Sequence, residues 1–292
     1  MELRQLTYFV TVAQKLNFSR AADELRVSQP GISQQIQALE TELGVQLFDR
    51  LGRRVNLTRA GEALLPHAFQ ILAQVETARS DVRDLSQLTR GNASLGAPPT
   101  VSSHLLPSRL TRFRRRYPGL EVTLREAGTE SLLRQIEDSQ LDLSIVVSDN
   151  LPAAMDSAPL LEEKYVLAVG LMHPLSQQSA VALADLAGEA FILFPEGYKL
   201  REVTLTACKR AGFEPKVALD GGAMQSALEF VAAGLGVALV PQLALEGAKN
   251  IRGLALSDQD LRRHLGLVWR RDRHLSAAAR ALRDFLLNTE NG

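Results

Sequence analysis

The chain has one cysteine and five histidines in 292 residues, and its 33 basic and 33 acidic residues cancel. A lone cysteine, Cys208, excludes an internal disulfide and fits a reducing cytoplasm. Zero formal charge excludes a molecule that is polycationic throughout, so any affinity for nucleic acid has to be local. No apolar run of about 18 residues is present. The opening segment MELRQLTYFVTVAQKL mixes charged residues into its apolar pattern, unlike a secretory signal or a membrane span. A cytoplasmic protein with no membrane partner is the expectation. His67, His104, His173, His264 and His274 show no metal-ligand spacing. There is no phosphate-loop pattern, and Gly234-Leu235-Gly236 lacks the rest of a dinucleotide fingerprint. The reading therefore contains no catalytic residue, metal or cofactor.

What is present starts with an apolar content of 46%, enough for two or three cores. Residues 18–50 read FSRAADELRVSQPGISQQIQALETELGVQLFDR. Ala21, Ala22 and Leu25 recur at helical spacing, Val27 is expected to plug a turn, and Ile32, Ile36, Leu39 and Leu43 mark one face of a second helix. Ser28 is a good N-cap, Pro30 suits the first turn, and Gly44 stops the helix. Two short helices joined by a tight turn form a helix-turn-helix, whose second helix enters the DNA major groove. Gln29, Ser33, Gln34 and Gln37 lie on its exposed face and can reach base edges. Leu3, Leu6, Phe9, Val10 and Ala13 form a stripe on a first helix packed behind this pair. Val55 and Leu57 alternate after a Gly-Arg-Arg turn, which suggests a two-stranded wing. Arg50, Arg53 and Arg54 at the wing are candidates for phosphate or minor-groove contact.

Thr58 is placed to cap a long helix on which Leu64, Ala68, Ile71, Val75, Ala78, Val82 and Leu85 alternate steps of four and three. Such a heptad seam implies dimerisation, and hence a two-fold DNA target. Leu65, Phe69 and Leu72 beside the seam are expected to face the N-terminal domain or a second partner helix, and Pro66 should perturb the early turns. Thr89-Arg90-Gly91-Asn92 reads as a hinge.

From residue 93 the pattern alternates short strands with helices. Strands are expected at 93–97, 120–125, 141–147, 165–169, 191–194, 216–219, 237–240 and 265–269. Helices are expected at 104–117, 131–139, 200–211, 225–233 and 277–287. This order argues for parallel sheets with crossover helices.

Residues 3–65, LRQLTYFVTVAQKLNFSRAADELRVSQPGISQQIQALETELGVQLFDRLGRRVNLTRAGEALL, closely resemble the LysR-type transcriptional regulators. LLPSRLTRFRRRYPGLEVTLREAGT, LDLSIVV and FVAAGLGVALVP follow in the order of that family's effector domain. The resemblance implies an N-terminal all-α winged helix-turn-helix, a long linker helix, and an α/β region of two Rossmann-like lobes resembling periplasmic binding proteins. The expected boundaries are 1–58, 59–90 and 91–292, with one lobe at about 91–161 and 267–292 and the other at about 162–266. It further implies a double-stranded DNA operator, a small-molecule effector between the lobes, contact with RNA polymerase, and a homotetramer. Gln29, Pro30, Ser33 and Gln34 match the family's groove-facing positions, and Ser28, the cap before them, is counted with the DNA-binding residues. Many relatives carry arginine where Gln34 stands; glutamine pairs with adenine, arginine with guanine. Asn17, Ser19 and Arg20 fit phosphate contacts at a helix start, with Ser19 as a plain N-cap the other reading.

Two loops stand before helices: Ala97-Pro98-Pro99-Thr100-Val101-Ser102-Ser103 and Gly128-Thr129-Glu130-Ser131. Hydroxyls and open N–H groups at such places suit an anion, so an organic acid is one candidate effector; ordinary helix capping is the alternative. By resemblance, Thr100 and Thr129 match hydroxyls that hold effector carboxylates, with Ser102 and Ser103 in support. Gly197 and Tyr198 across the cleft, and Ser148 at a strand end, complete the expected site. No basic residue stands near Ser148, which weakens a dicarboxylate. Gly221-Gly222 reads by default as a turn.

Redox sensing through Cys208 is the rival within this fold, because PEGYKLREVTLTACKRAGF resembles the segment of the peroxide-sensing branch. Lys199 stands where that branch has its reactive cysteine. A solute-binding or enzymatic α/β protein is the rival outside it, and the reading helix speaks against both.

Overall fold

The computed structural model describes residues 1–51, 54–84 and 90–288. The chain divides into two compact units, Met1–Gln87 with Glu137–Gln140, and Leu88–Ile136 with Leu141–Gly292.

The N-terminal unit contains helices α1 (Leu3–Lys15), α2 (Phe18–Leu25) and α3 (Gln29–Leu43), an antiparallel ribbon of β1 (Phe48–Leu51) and β2 (Arg54–Leu57), and α4 (Arg59–Asp84). Leu6, Phe9, Val10 and Ala13 bury the inner face of α1, while Leu3 is exposed. They meet Ala21 and Ala22 of α2 and Ile32, Ile36 and Leu39 of α3. Phe48 closes this core, its ring 5.5 Å from that of Phe9 and 5.6 Å from that of Phe18. Val27 does not plug the turn after α2, because it stays exposed. The turn closes through the backbone instead: Arg26 is left-handed at φ 54°, and the N–H of Val27 donates to the carbonyl of Ala22 at 3.0 Å.

Thr58 caps α4 as expected, its hydroxyl accepting the N–H of Gly61 at 3.1 Å. A Cβ at Gly61 would sit 2.2 Å from the carbonyl oxygen of Leu47, so only glycine lets the chain pass there. Pro66 costs α4 one donor but does not interrupt it. Leu64, Leu65, Ala68 and Phe69 on either side pack against the core and hold the helix through that point. The same packing corrects the expected seam. Ala68 is fully buried within its own chain, and Leu64 and Ile71 lean on the same core, so the first turns of the seam are taken by the monomer. Val75 is half-buried and Ala78 exposed. Arg53 and Leu85 lie outside the described residues, as do the side chains of Arg50, Arg54 and Val82.

The second unit runs β3 (Gly91–Ala97), α5 (Pro99–His104), α6 (Leu106–Arg116), β4 (Leu120–Glu126), α7 (Thr129–Glu137), β5 (Leu143–Val147) and β6 (Met155–Gly170). It continues with β7 (Ala180–Val181), β8 (Ala190–Leu193), α8 (Lys199–Arg210), β9 (Lys216–Asp220), α9 (Met224–Ala232), β10 (Ala238–Pro241), β11 (Ile251–Leu256), β12 (Arg262–Arg270) and α10 (Ala277–Leu287). The main sheet has the order β4-β3-β5-β12-β6-β11-β7, with β10 also on β6.

The sheets are mixed, not uniformly parallel. β3 is parallel to β4 and β5, and β8 to β9, but β12 runs antiparallel to β5 and β6, and β6 antiparallel to β10 and β11. The difference comes from β6, which is far longer than the expected 165–169. Its first half pairs with β12 and its second with β10 and β11. Four apolar clusters pack on these strands: one gathers Leu95, Phe113, Ile145, Leu267 and Leu282, a second Leu132, Ile136, Val146 and Val268, a third Ile192, Phe194, Leu228, Val231 and Leu239, and a fourth Leu167, Phe191, Cys208 and Val237.

Candidate functional site

α3 is built to show one polar face. Ser28 has extended backbone, and its hydroxyl accepts the N–H of Gly31 at 3.3 Å. Pro30 sits in the first turn, and Gly44, at φ 71°, ends the helix. Ile32, Ile36 and Leu39 are fully buried, which turns Gln34 and Gln37 outward. Gln29 is exposed and donates to the half-buried Ser33 hydroxyl at 3.0 Å. At the start of α2 the N-cap is Asn17, which accepts the N–H of Arg20 at 3.0 Å; Ser19 and Arg20 are exposed inside the helix. Ser19 is therefore not the cap.

One residue of this region escaped the sequence reading. Glu40, on the inner face of α3, is buried, and its carboxylate accepts the N–H groups of Leu47 at 2.8 Å and Phe48 at 3.2 Å. A buried acid on an otherwise apolar helix face was the available signal.

In the second unit a cavity of about 60 Å³ opens among the ends of β5, β8 and β10 and the starts of α5, α7, α8 and α9. Thr100, Thr129 and Tyr198 line it. Four expected residues do not. Ser102 is buried without lining the cavity, and Ser103 is exposed. The Ser148 hydroxyl donates to the carbonyl of His264 at 3.2 Å and is spent on tying β5 to β12. Gly197, at φ +80°, turns the loop before α8 and is exposed. Its carbonyl oxygen would lie 3.3 Å from a Cβ at Gly128, so the two walls meet there through glycine. Gly221 and Gly222 have φ of +104° and +102°, in keeping with a turn.

The wall contains a cation that the sequence reading did not find. Arg263 and Glu163 are cross-strand partners on β12 and β6. Both side chains are only 8% exposed. Nε of Arg263 donates to Oε1 of Glu163 at 2.7 Å, and Nη2 donates to the Thr100 hydroxyl at 3.0 Å. The other Glu163 oxygen accepts the N–H of Leu243 at 3.0 Å. Tyr165 follows on the same face of β6, and burial pushes its phenol up to about 12. The cavity also includes Lys199, whose ammonium pairs with Glu202 at 2.7 Å. A small, hydroxyl-bearing cavity with a compensated cation can hold a polar organic molecule and exclude bulk water.

Cys208 is fully buried in α8, and burial pushes its thiol up to about 11. Among the described residues no cluster of His, Cys, Asp or Glu suits a metal, and no helix is long and apolar enough to cross a membrane.

A capped helix with a polar reading face, and an α/β unit enclosing a small cavity, define a transcriptional regulator with a ligand-sensing domain. Residues 3–62 match the bacterial regulatory helix-turn-helix proteins of the lysR family, and residues 86–290 match the LysR substrate binding domain. The chain belongs to the LysR-type transcriptional regulators.

It is 34% identical over 291 residues to the transcriptional dual regulator GltC of Bacillus subtilis (strain 168), covering 98% of this chain and 97% of that one. It is also 34% identical over 273 residues to a hydrogen peroxide-inducible genes activator of Escherichia coli O6:H1, covering 92% and 90%. The full-length CbnR structure complexed with its target DNA is similar at TM-score 0.72 and 26% identity, covering 98% and 99%.

Proposed function

We propose that residues 1–58 read a two-fold DNA operator, that residues 59–90 pair two such readers, and that residues 91–292 sense a small-molecule effector. The observation that carries this is the outward face of α3, where Gln29, Ser33, Gln34 and Gln37 stand opposite a fully buried Ile32-Ile36-Leu39 row. Asn17, Ser19, Arg20, Arg50, Arg53 and Arg54 supply phosphate contacts around it. Pairing falls to the part of the seam beyond Ile71. The two lobes are residues 91–161 with 267–292, and 162–266. Ligand between them changes the angle between the DNA-bound pairs in a tetramer, and with it DNA bending and the contact to RNA polymerase. It does so only by binding one arrangement better than the other.

The effector is held at Thr100, Thr129 and Tyr198, with Arg263 behind Thr100. Thr100→Val should blunt the effector response while leaving DNA affinity without effector unchanged. An unaltered dose response in a reporter assay overturns that assignment.

The peroxide-inducible relative raises redox sensing as a second reading. The buried Cys208 thiol argues against it, since thiolate is the reacting form and burial suppresses it.

A further inference from the structure

We infer that the cavity takes an uncharged, oxygen-bearing small molecule, and that Glu163 excludes carboxylates by serving as the built-in counterion of Arg263. The inference rests on reading the cavity as the effector site and specifies the chemistry of that site.

The Arg263–Glu163 pair is formed by the ladder of β12 and β6 and needs no ligand to assemble it. Glu163 is held from two sides, by Arg263 on one oxygen and by the N–H of Leu243 on the other. It cannot swing away without giving up both. Nε and Nη2 of the guanidinium are engaged by Glu163 and Thr100, so what is left for a ligand is Nη1 of a cation whose charge Glu163 already balances. A ligand carboxylate would thus enter a poorly solvated space where the nearest positive charge is cancelled and a second carboxylate stands behind it. Desolvation and like-charge repulsion both oppose that arrival. Lys199 does not repair the balance, because it sits half-exposed and is itself paired with Glu202.

What the walls do offer is hydroxyl protons. The Thr100 oxygen accepts from Arg263, which leaves its proton to give. Tyr165 is 4% exposed, and its hydroxyl has no hydrogen-bond partner among the described residues. It stays a phenol throughout the neutral range. Thr129 and Tyr198 likewise line the cavity with hydroxyls that have no partner among the described residues. Phe194, Leu200 and Met224 make the remainder apolar. Several donors on an apolar wall with no net charge match a carbonyl, amide or alcohol oxygen, and they discriminate against ligands that lack one.

The test uses matched neutral and anionic probes, acetamide against acetate and benzamide against benzoate, titrated calorimetrically into the full chain at neutral pH. The wild type should bind each amide roughly tenfold or more tightly than its carboxylate. Glu163→Gln can still accept the N–H of Leu243 but leaves Arg263 uncompensated, so the preference should reverse. A wild type that favours the carboxylates, or a Glu163→Gln ratio equal to the wild-type ratio, overturns the inference. Should Glu163→Gln not fold, the wild-type ratio decides by itself. Repeating the titration with Thr100→Val separates the two levels of the argument. Binding unchanged in that variant lies outside the cavity, and binding of no probe to any form removes the cavity as a ligand site; either result counts against the effector reading itself.

Discussion

The carboxylate of Glu40, near the end of the reading helix, accepts the backbone N–H of Leu47 at 2.8 Å. That bond, with its companion to Phe48, fixes the start of the wing strand β1 against α3. It therefore couples the element that faces bases to the element whose arginines are assigned to phosphates. Removing one partner of a buried hydrogen bond leaves the other unsatisfied, which costs more than the bond itself is worth.

Glu40→Ala should accordingly lower the stability of the N-terminal unit by about 1–3 kcal/mol. Glu40→Gln, which keeps an acceptor oxygen, should lose less. Denaturant unfolding of the full chain measures this in the transition of that unit. Operator affinity should fall with it on every sequence, because the wing and not a base contact is displaced. An unchanged unfolding midpoint in Glu40→Ala would remove the coupling.

Base reading and backbone anchoring should separate by mutation. Gln34→Ala should change operator preference, with a loss of about 1–3 kcal/mol confined to one base position in each half-site. Arg20→Ala should weaken binding on all sequences alike and reduce the salt dependence by about one counterion. Binding assays on a set of single-base operator variants, at two salt concentrations, distinguish the two patterns. Equal losses on every sequence for both variants would contradict the assigned roles.

Cys208 gives a pH prediction. Burial raises its thiol from an ordinary 9.0 to about 11, so between these values the unfolded chain releases a proton that the folded chain keeps. Stability contributed by this group is fully present below pH 9.0 and is lost as pH rises through about 11. Relative to Cys208→Ala, the wild type should lose ground across that window and be unaffected at neutral pH. The native thiol should also resist alkylation at neutral pH until the protein is unfolded. Rapid native labelling would revive the redox reading.

The DNA-reading half was legible because its signals are local. Ser28, Pro30 and Gly44 punctuate α3 as the sequence predicts, and the spacing of Ile32, Ile36 and Leu39 sets its faces, whereas Leu43, expected on the same face, is exposed at the end of the helix. Of the two readings open for Ser19, phosphate contact and plain N-cap, the second is closed by Asn17, two residues earlier, which takes the capping role. The cavity was legible only in part. Thr100 and Thr129 stand at helix starts, which a sequence displays. Arg263 and Glu163 lie 100 residues apart on the polar halves of two strands and are brought opposite each other only by the antiparallel register. Those halves, with Glu162, Glu163, Arg262, Arg263 and His264, break the apolar pattern on which strand assignment rests, so strand and site residues were missed together. The seam on α4 is ambiguous in sequence for another reason. A periodic apolar row shows that a helix face is covered, but not whether the cover is a second chain or, as for Ala68, the protein's own core.

α3 is assigned to read DNA as one half of a paired reader. Hydroxyl-radical footprinting of the full chain on sequences enriched from a random DNA pool, at one fixed salt concentration, tests it most directly. Two half-sites related by a two-fold axis should be protected, and the sequences enriched by Gln34→Ala should differ from those of the wild type at one base position of each half. Protection of a single unrelated site, or no enrichment of any sequence, would contradict it.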